Sequence, residues 1–80
     1  MPRYFFDVRD RHGEQRDEVG LEFPDMETAI AEARRALGDI VRESLLDGGS
    51  DETSITIRDG ADGPVNLVVT LRTERPDQSR

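Results

Sequence analysis

The 80-residue chain contains no cysteine, no lysine and no tryptophan. Without cysteine the protein forms no disulfide bond, which is typical of a reducing compartment. Without lysine it offers no amine for a Schiff base and lacks the lysine of a phosphate-binding P-loop. All 11 basic residues are arginine. These absences exclude several classes of enzyme chemistry.

Long apolar runs are absent as well. No run approaches the roughly 20 residues of a membrane span, and the first residues lack the apolar core of a secretory signal. The net charge is −7, with 18 acidic residues against 11 basic ones, whereas binding of nucleic-acid phosphates needs a clustered positive surface. We therefore expect a cytoplasmic protein without a membrane partner and without nucleic acid as its main partner.

The clearest positive signal is an amphipathic helix between Pro24 and Gly49. Asp25 is suited to accept hydrogen bonds from the first-turn amides, and the pair Gly48-Gly49 is suited to end the helix. Gly38 is expected on the solvent side, at a cost of roughly 1 kcal/mol relative to alanine. Apolar residues recur at steps of three and four, which indicates one face turned to a core. They are Met26, Ala29, Ile30, Ala33, Leu37, Ile40, Val41 and Leu45.

Two pairs of predicted strands flank this helix, over residues 3–9 and 18–23 before it and 54–58 and 65–71 after it. Each pair is joined by residues that favour turns, Asp10–Gly13 and Asp59–Pro64. The alternation of apolar and polar residues indicates which side chains face the core. In the first pair these are Tyr4, Phe6, Val8, Val19, Leu21 and Phe23. Gly20 interrupts this pattern and indicates a bulge or a close backbone approach.

The order strand, strand, helix, strand, strand predicts an α+β fold, a two-layer sandwich with one helix on one face of a small sheet. We expect a single domain over residues 1–72 and a disordered polar tail over 73–80. The order of the strands stays open; if the second and third run parallel in one sheet, the helix is a right-handed crossover. The outer face of the sheet is expected to carry Phe5, Asp7, Arg9, Thr56, Asn66, Val68 and Thr70.

Five short motifs precede the alanine-rich helix: Met1–Phe6, Val8–Asp10, Arg16–Glu18, Gly20–Glu22 and Pro24–Asp25. Together they resemble a family of short alphaproteobacterial proteins that is classed as a domain of unknown function. The resemblance extends to about Leu71. Members of that family commonly carry histidine where this chain has Asp7, so no role of that histidine passes to this chain. The resemblance implies no activity and no catalytic residue.

The junction Gly20–Asp25, followed by a helix with spaced alanines, is also similar to HicB-type antitoxin domains. Those are small α+β modules that bind a toxin protein. The likeness covers about residues 15 to 45 and implies an alternative function. In that alternative the chain is a regulatory or antitoxin-like domain that binds a protein partner or a small ligand.

Residues with catalytic or metal-binding chemistry are few. His12 is the single histidine, and although Asp10 and Glu14 lie close in sequence, a solvated turn residue is the simpler interpretation. The serines, Ser44, Ser50 and Ser54 among them, have no nucleophile-elbow context. Carboxylates that could crowd one end of the first hairpin are interleaved with arginines, which favours surface ion pairs over a metal site. These carboxylates are Asp7, Asp10, Asp17 and Glu18.

The acidic segments 47–52 and 59–63 resemble calcium loops in composition but lack the alternating ligands and the closing glutamate of an EF-hand loop. We therefore predict no catalytic, cofactor-binding or metal-binding residue, no cofactor and no enzymatic activity. The predicted function is a protein-interaction module that self-associates, as a dimer. One helix covers only one face of the sheet, which leaves the outer face and at least one edge open. Phe5 and Val68 are the expected interface residues.

Replacing His12 by alanine is expected to leave the melting temperature and the metal content unchanged, because the residue has no further ligand nearby. Thermal melting and elemental analysis of the purified variant and parent check this. A zinc or nickel ion that co-purifies with the parent and is lost from the variant would contradict the interpretation.

Overall fold

A computed structural model describes residues 1–47, 51–60 and 63–76 of the chain. This part of the chain forms one helix and five strands, and the predicted α+β class with a single helix on a small sheet is confirmed. The helix α1 spans Met26–Asp47 and connects β3 to β4. The strands are β1 (Arg3–Asp10), β2 (Gly13–Gln15), β3 (Leu21–Glu22), β4 (Asp51–Arg58) and β5 (Val65–Leu71).

The described strands form one antiparallel sheet in the order β2-β1-β4-β5, with β3 also paired to β1. β2 pairs with residues 8–10 of β1 and β3 with residues 3–4, so the two short strands share the edge of β1 that faces away from β4. β3 and β4 both run antiparallel to β1 and are therefore parallel to each other. The helix α1 is the crossover between them.

The second predicted strand is wrong in its bounds and in its buried face. Residues 16–20 leave the sheet between β2 and β3. Val19 is 74% exposed and Leu21 is 53% exposed, although both were expected in the core. Phe23 does pack against the core, with its ring centroid 5.9 Å from that of Phe6. The alternation of apolar and polar residues continues through residues 16–20, but hydrogen bonds of Asp17 hold the backbone of this segment outside the sheet.

Of the two roles expected for Gly20, a bulge or a close backbone approach, the structure shows the close approach. Its φ angle is +75°, in the region that favours glycine. A Cβ atom at this position would lie 2.9 Å from the carbonyl oxygen of Tyr4 and 2.9 Å from Cε2 of Phe5. Any larger residue would therefore push the returning chain away from β1.

The start of α1 is the predicted one. Oδ1 of Asp25 accepts a hydrogen bond of 2.8 Å from the backbone amide of Thr28 and one of 2.7 Å from its hydroxyl. This satisfies an amide that lacks a partner within the helix. The predicted end signal at Gly48-Gly49 lies outside the described residues. At the other end of the chain, residues 73–76 are exposed and form neither helix nor strand, and the rest of the predicted tail lies outside the described residues.

The core lies between α1 and the centre of the sheet. Ala29 and Ala33 are small, so the helix packs closely against the sheet, mainly over β4. The buried apolar residues are Tyr4, Ala29, Ala33, Leu37, Ile55 and Ile57. Leu45, which was expected to face the core, is exposed. It lies in the last turns of α1, where the helix borders an open groove rather than the packed centre of the sheet.

Replacing Leu37 by alanine is expected to lower the free energy of unfolding by about 2–5 kcal/mol, because the side chain is buried in the core with Phe6 and Val69 packed against that cluster. Chemical unfolding measures the loss. Leu46→Ala is the matched control, since Leu46 lies on the same helix and is 76% exposed. Equal stability of the two variants would show that the facing direction of the helix is wrong.

Candidate functional site

Asp7 is the buried charged residue of the described part of the chain, and its partner is Arg58. Asp7 pairs with Thr56 across the β1–β4 ladder, which places Arg58 at the diagonal position on the same face. Nε of Arg58 donates to Oδ2 of Asp7 at 2.7 Å, and Nη2 donates to Oδ1 at 3.1 Å. The pair is bidentate, and Asp7 is only 7% exposed. Asp7 lies on the outer face of the sheet, as expected, but its position is not open because residues 16–20 cover it.

Asp17 connects this ion pair to the edge of the sheet. Its backbone amide donates to Oδ1 of Asp7 at 2.9 Å, and its carbonyl oxygen accepts from Nη2 of Arg58 at 2.9 Å. Its own carboxylate accepts the amide of Phe6 at 3.0 Å through Oδ2. Oδ1 accepts the amides of Val19 and Gly20, each at 3.0 Å. The side chain of Asp17 thus replaces a strand as the partner of β1 where β2 and β3 are interrupted.

Both carboxylates are ionised at neutral pH. The hydrogen bond from Arg58 lowers the pKa of Asp7 below its ordinary value, against the opposing effect of burial. For Asp17 burial raises the pKa, but hydrogen bonds from three backbone amides outweigh it, and the pKa is lowered. Each carboxylate is engaged by donors of its own chain. The network is therefore built to hold segment 16–20 against β1 rather than to exchange protons near neutral pH.

The carboxylates predicted to crowd the first hairpin are brought together only in part. Asp7 and Asp17 share the network, whereas Asp10 accepts the amide of His12 at 2.8 Å in the β1–β2 turn. Glu18 is exposed and forms an ion pair with Arg16 at 3.8 Å. Arg58 was not among the predicted residues, because it lies 51 residues from Asp7 and outside the interleaved arginines. The signal that could have found it is the register of β1 on β4, which no local pattern contains.

The two expected interface residues do not form one patch. Phe5 is half-buried, and the guanidinium carbon of Arg58 lies 5.1 Å from the centroid of its ring. Val68 is 55% exposed on β5 and lies in the same row of the sheet as Ser54 and Arg9. Arg9 is four residues from Phe5 along β1, a separation of about 13 Å. A surface patch around Val68 on β5 therefore does not include Phe5 at its centre.

A groove of about 520 Å³ runs between the second half of α1 and β5. Its lining residues are Arg34, Leu37, Gly38, Val41, Arg42, Leu45, Leu67, Val68 and Val69. The helix side includes Gly38, where a Cβ atom would have no neighbouring atom within 4 Å. The groove was not predicted, because the apolar stripe of the helix was assigned entirely to the core. The exposure of Leu45 in the structure shows that the apolar stripe of α1 continues beyond the core.

Other candidate residues are dispersed. His12 is exposed, and Ser44 and Ser54 lie on α1 and β4; Ser50 falls outside the described residues. The acidic segments 47–52 and 59–63 also fall partly outside them. Within residues 1–47, 51–60 and 63–76 no group of three histidine, aspartate or glutamate side chains is arranged to hold a metal ion. In the same ranges no helix combines the length and the apolar character needed to cross a membrane.

The model of one protein family, described as a domain of unknown function (DUF6894), matches residues 3–72. The chain belongs to this family. The match confirms the resemblance noted from the opening motifs, and it includes all five strands, α1 and the Asp7–Arg58–Asp17 network. Comparison with curated proteins and with solved structures gives no match.

Replacing Arg58 by methionine is expected to lower the melting temperature by more than about 5 °C, because it leaves the buried carboxylate of Asp7 without its cation. Differential scanning calorimetry measures the change. Arg35→Met is the matched control, since Arg35 pairs with Glu32 on the exposed side of α1. The role assigned to the network is wrong if both variants melt within about 2 °C of the parent.

The lowered pKa values of Asp7 and Asp17 predict acid destabilisation. As the pH falls, the unfolded chain binds protons first, so the stability from these groups is complete above about pH 4 and is lost as the pH falls through the lower folded pKa values. Arg58→Met removes the largest cause of the lowered pKa of Asp7 and should flatten this fall. Urea unfolding between about pH 7 and pH 2.5 tests it. Parallel profiles of parent and variant would contradict the assignment.

Proposed function

We propose that this member of DUF6894 is a cytoplasmic, non-enzymatic protein-interaction module that self-associates through one edge of its sheet. The observation that carries the proposal is the position of β5. In the described part of the chain β5 pairs with β4 on one side and has no strand on the other. An open strand presents amide and carbonyl groups that a further strand can pair with.

The two edges of the sheet differ in how they are protected. The β2–β3 edge has strands of three and two residues, interrupted by segment 16–20. It is also charged, with exposed side chains at Glu14, Arg16, Glu18 and Glu22. Short, interrupted and charged edges are the usual means by which proteins avoid pairing with another chain. This edge is therefore a poor site for association.

The β5 edge has none of these protections. All seven residues of β5 pair with β4 in continuous register, and no side chain between Val65 and Leu71 is charged. The strand also borders the groove under α1, where Leu45 adds exposed apolar surface. Exposed apolar surface beside an open strand is typical of an interaction site. The absence of enzymatic activity is part of the proposal and is supported by the engagement of Asp7 and Asp17 within the chain.

A second candidate is the antitoxin-like alternative, in which the same edge binds a strand of a different protein. The groove beside β5 favours it, since strand addition gains affinity when alternate side chains of the added strand enter apolar pockets. Native mass spectrometry of the protein purified from its own cells distinguishes the two. A mass of twice 9.0 kDa indicates self-association, and a heavier mixed complex indicates a different partner.

The parent protein is expected to be a dimer at micromolar concentration, as measured by light scattering across a dilution series. Val68→Glu places a charge on the open strand and should shift the protein to monomer. Leu21→Glu is the matched control, because Leu21 is exposed to the same degree on the opposite edge; this variant should remain a dimer.

A parent that is monomeric at high micromolar concentration would overturn the proposal. If the parent is a dimer that Leu21→Glu disrupts and Val68→Glu does not, the protein associates through the β2–β3 edge, and the proposal is wrong. Circular dichroism of each variant establishes that it is folded before its mass is interpreted.

A further inference from the structure

The direction of the Phe6 amide determines which backbone amides and carbonyls of β5 point to the edge of the sheet that has no neighbouring strand in the described part of the chain. The backbone amide of Phe6 donates to Asp17, which lies on the β2–β3 side of β1. Along an antiparallel strand the amide and carbonyl of a residue point to the same side, and this side alternates from residue to residue. Phe6 therefore turns its backbone groups away from β4. Its pair with Ile57 on β4 is a non-hydrogen-bonded pair.

The same alternation determines the direction of the backbone groups on β4 and β5. Ile57 turns its backbone groups to β5, where it pairs with Val65. The carbonyl oxygen of Ile57 indeed lies on the β5 side, 3.0 Å from the position that a Cβ atom of Gly63 would take. Because the β4–β5 register is continuous, the backbone amides and carbonyls of the even-numbered residues of β5 point to the open edge. These residues are Asn66, Val68 and Thr70.

We infer that β5 pairs antiparallel with β5 of a second copy of this chain, with Val68 opposite its own counterpart on a two-fold axis. The inference rests on the self-association proposed above and specifies its geometry. Asn66 of each copy then lies opposite Thr70 of the other. Three hydrogen-bonded pairs with two bonds each give about six backbone hydrogen bonds. Two five-stranded sheets become one continuous sheet.

Neighbouring two-fold registers are poorer. A shift towards the N-terminus places Thr70 opposite Pro64, which has no amide to donate. A shift in the other direction places Asn66 opposite Arg72, beyond the end of the strand. With Val68 on the axis, every residue of β5 has a partner within β5, and no like charges meet. The sequence of the strand is thus complementary to itself in this one register.

The helix side of the pairing is apolar as well. Leu67 of one copy lies opposite Val69 of the other, and Val65 opposite Leu71, so the floors of the two grooves join. The helices lie mainly over β4, and three strand spacings separate the two β4 strands by about 14 Å. This gap accommodates the apolar stems of Arg34 and Arg42 above the floor, with their guanidinium groups in water. A two-fold contact of this kind closes on itself because it uses the β5 edge of both copies, and the protected β2–β3 edge disfavours addition of a further copy.

Charge complementation at the axis tests the register. Val68→Glu and Val68→Arg should each weaken the dimer on the order of tenfold or more, because like charges meet at the axis. An equimolar mixture of the two variants should form a heterodimer, seen by native mass spectrometry and light scattering. Thr70→Glu and Thr70→Arg are the matched controls. In this register Thr70 faces Asn66, so each control should dimerise alone and gain nothing from mixing.

The outcomes separate the two proposals. A monomeric parent overturns self-association and this geometry with it. A dimeric parent whose Val68 variants each dimerise as tightly as the parent, or do not complement on mixing, overturns the register and leaves self-association standing. Complementation by the Thr70 variants instead would place the axis at Thr70 and would likewise overturn the inference. Circular dichroism establishes that all four variants are folded.

Discussion

The β2–β3 side of the sheet depends on the hydrogen bonds that the carboxylate of Asp17 accepts. This carboxylate accepts amides from β1 and from the returning chain at the point where β2 and β3 leave a gap. This gives the amides of Phe6, Val19 and Gly20 an acceptor at the point where segment 16–20 leaves the sheet. The same segment covers Asp7, and its carbonyl at Asp17 orients Arg58. Without Asp17 the amide of Phe6 would face the gap between β2 and β3 without this acceptor.

The ion pair under this segment is a constraint more than a source of stability. Removing Asp7 and Arg58 from water costs free energy that their attraction offsets only when the geometry is good and the remaining lone pairs have donors. Here the pair is bidentate, and Oδ1 of Asp7 has the amide of Asp17 as a further donor. These hydrogen bonds can all form only in one geometry, so they specify one position for segment 16–20. Most of the stability comes from the apolar contact of α1 with β1 and β4.

That core is small, and the architecture leaves apolar surface at one side. Ala29 and Ala33 bring α1 close to the sheet, but the helix is centred over β4 and its last turns pass beside β5 without filling the space between them. Domains of this size bury a modest fraction of their surface. Covering β5 would bury more apolar area at the one edge that carries no charge. In the described part of the chain the polar network lies at one edge of the sheet, and β5 has no neighbouring strand at the other edge.

The sequence by itself determined the features that depend on neighbouring residues. The helix and its start at Asp25, the bounds of β5 and the α+β class all follow from local capping and periodicity. Tertiary structure alone decided the pairing of Asp7 with Arg58 and the exposure of Val19. The ion pair depends on the register of β1 against the distant β4. Val19 is exposed because Asp17 holds its segment outside the sheet, and an alternation with a period of two is the same for a segment inside or outside a sheet.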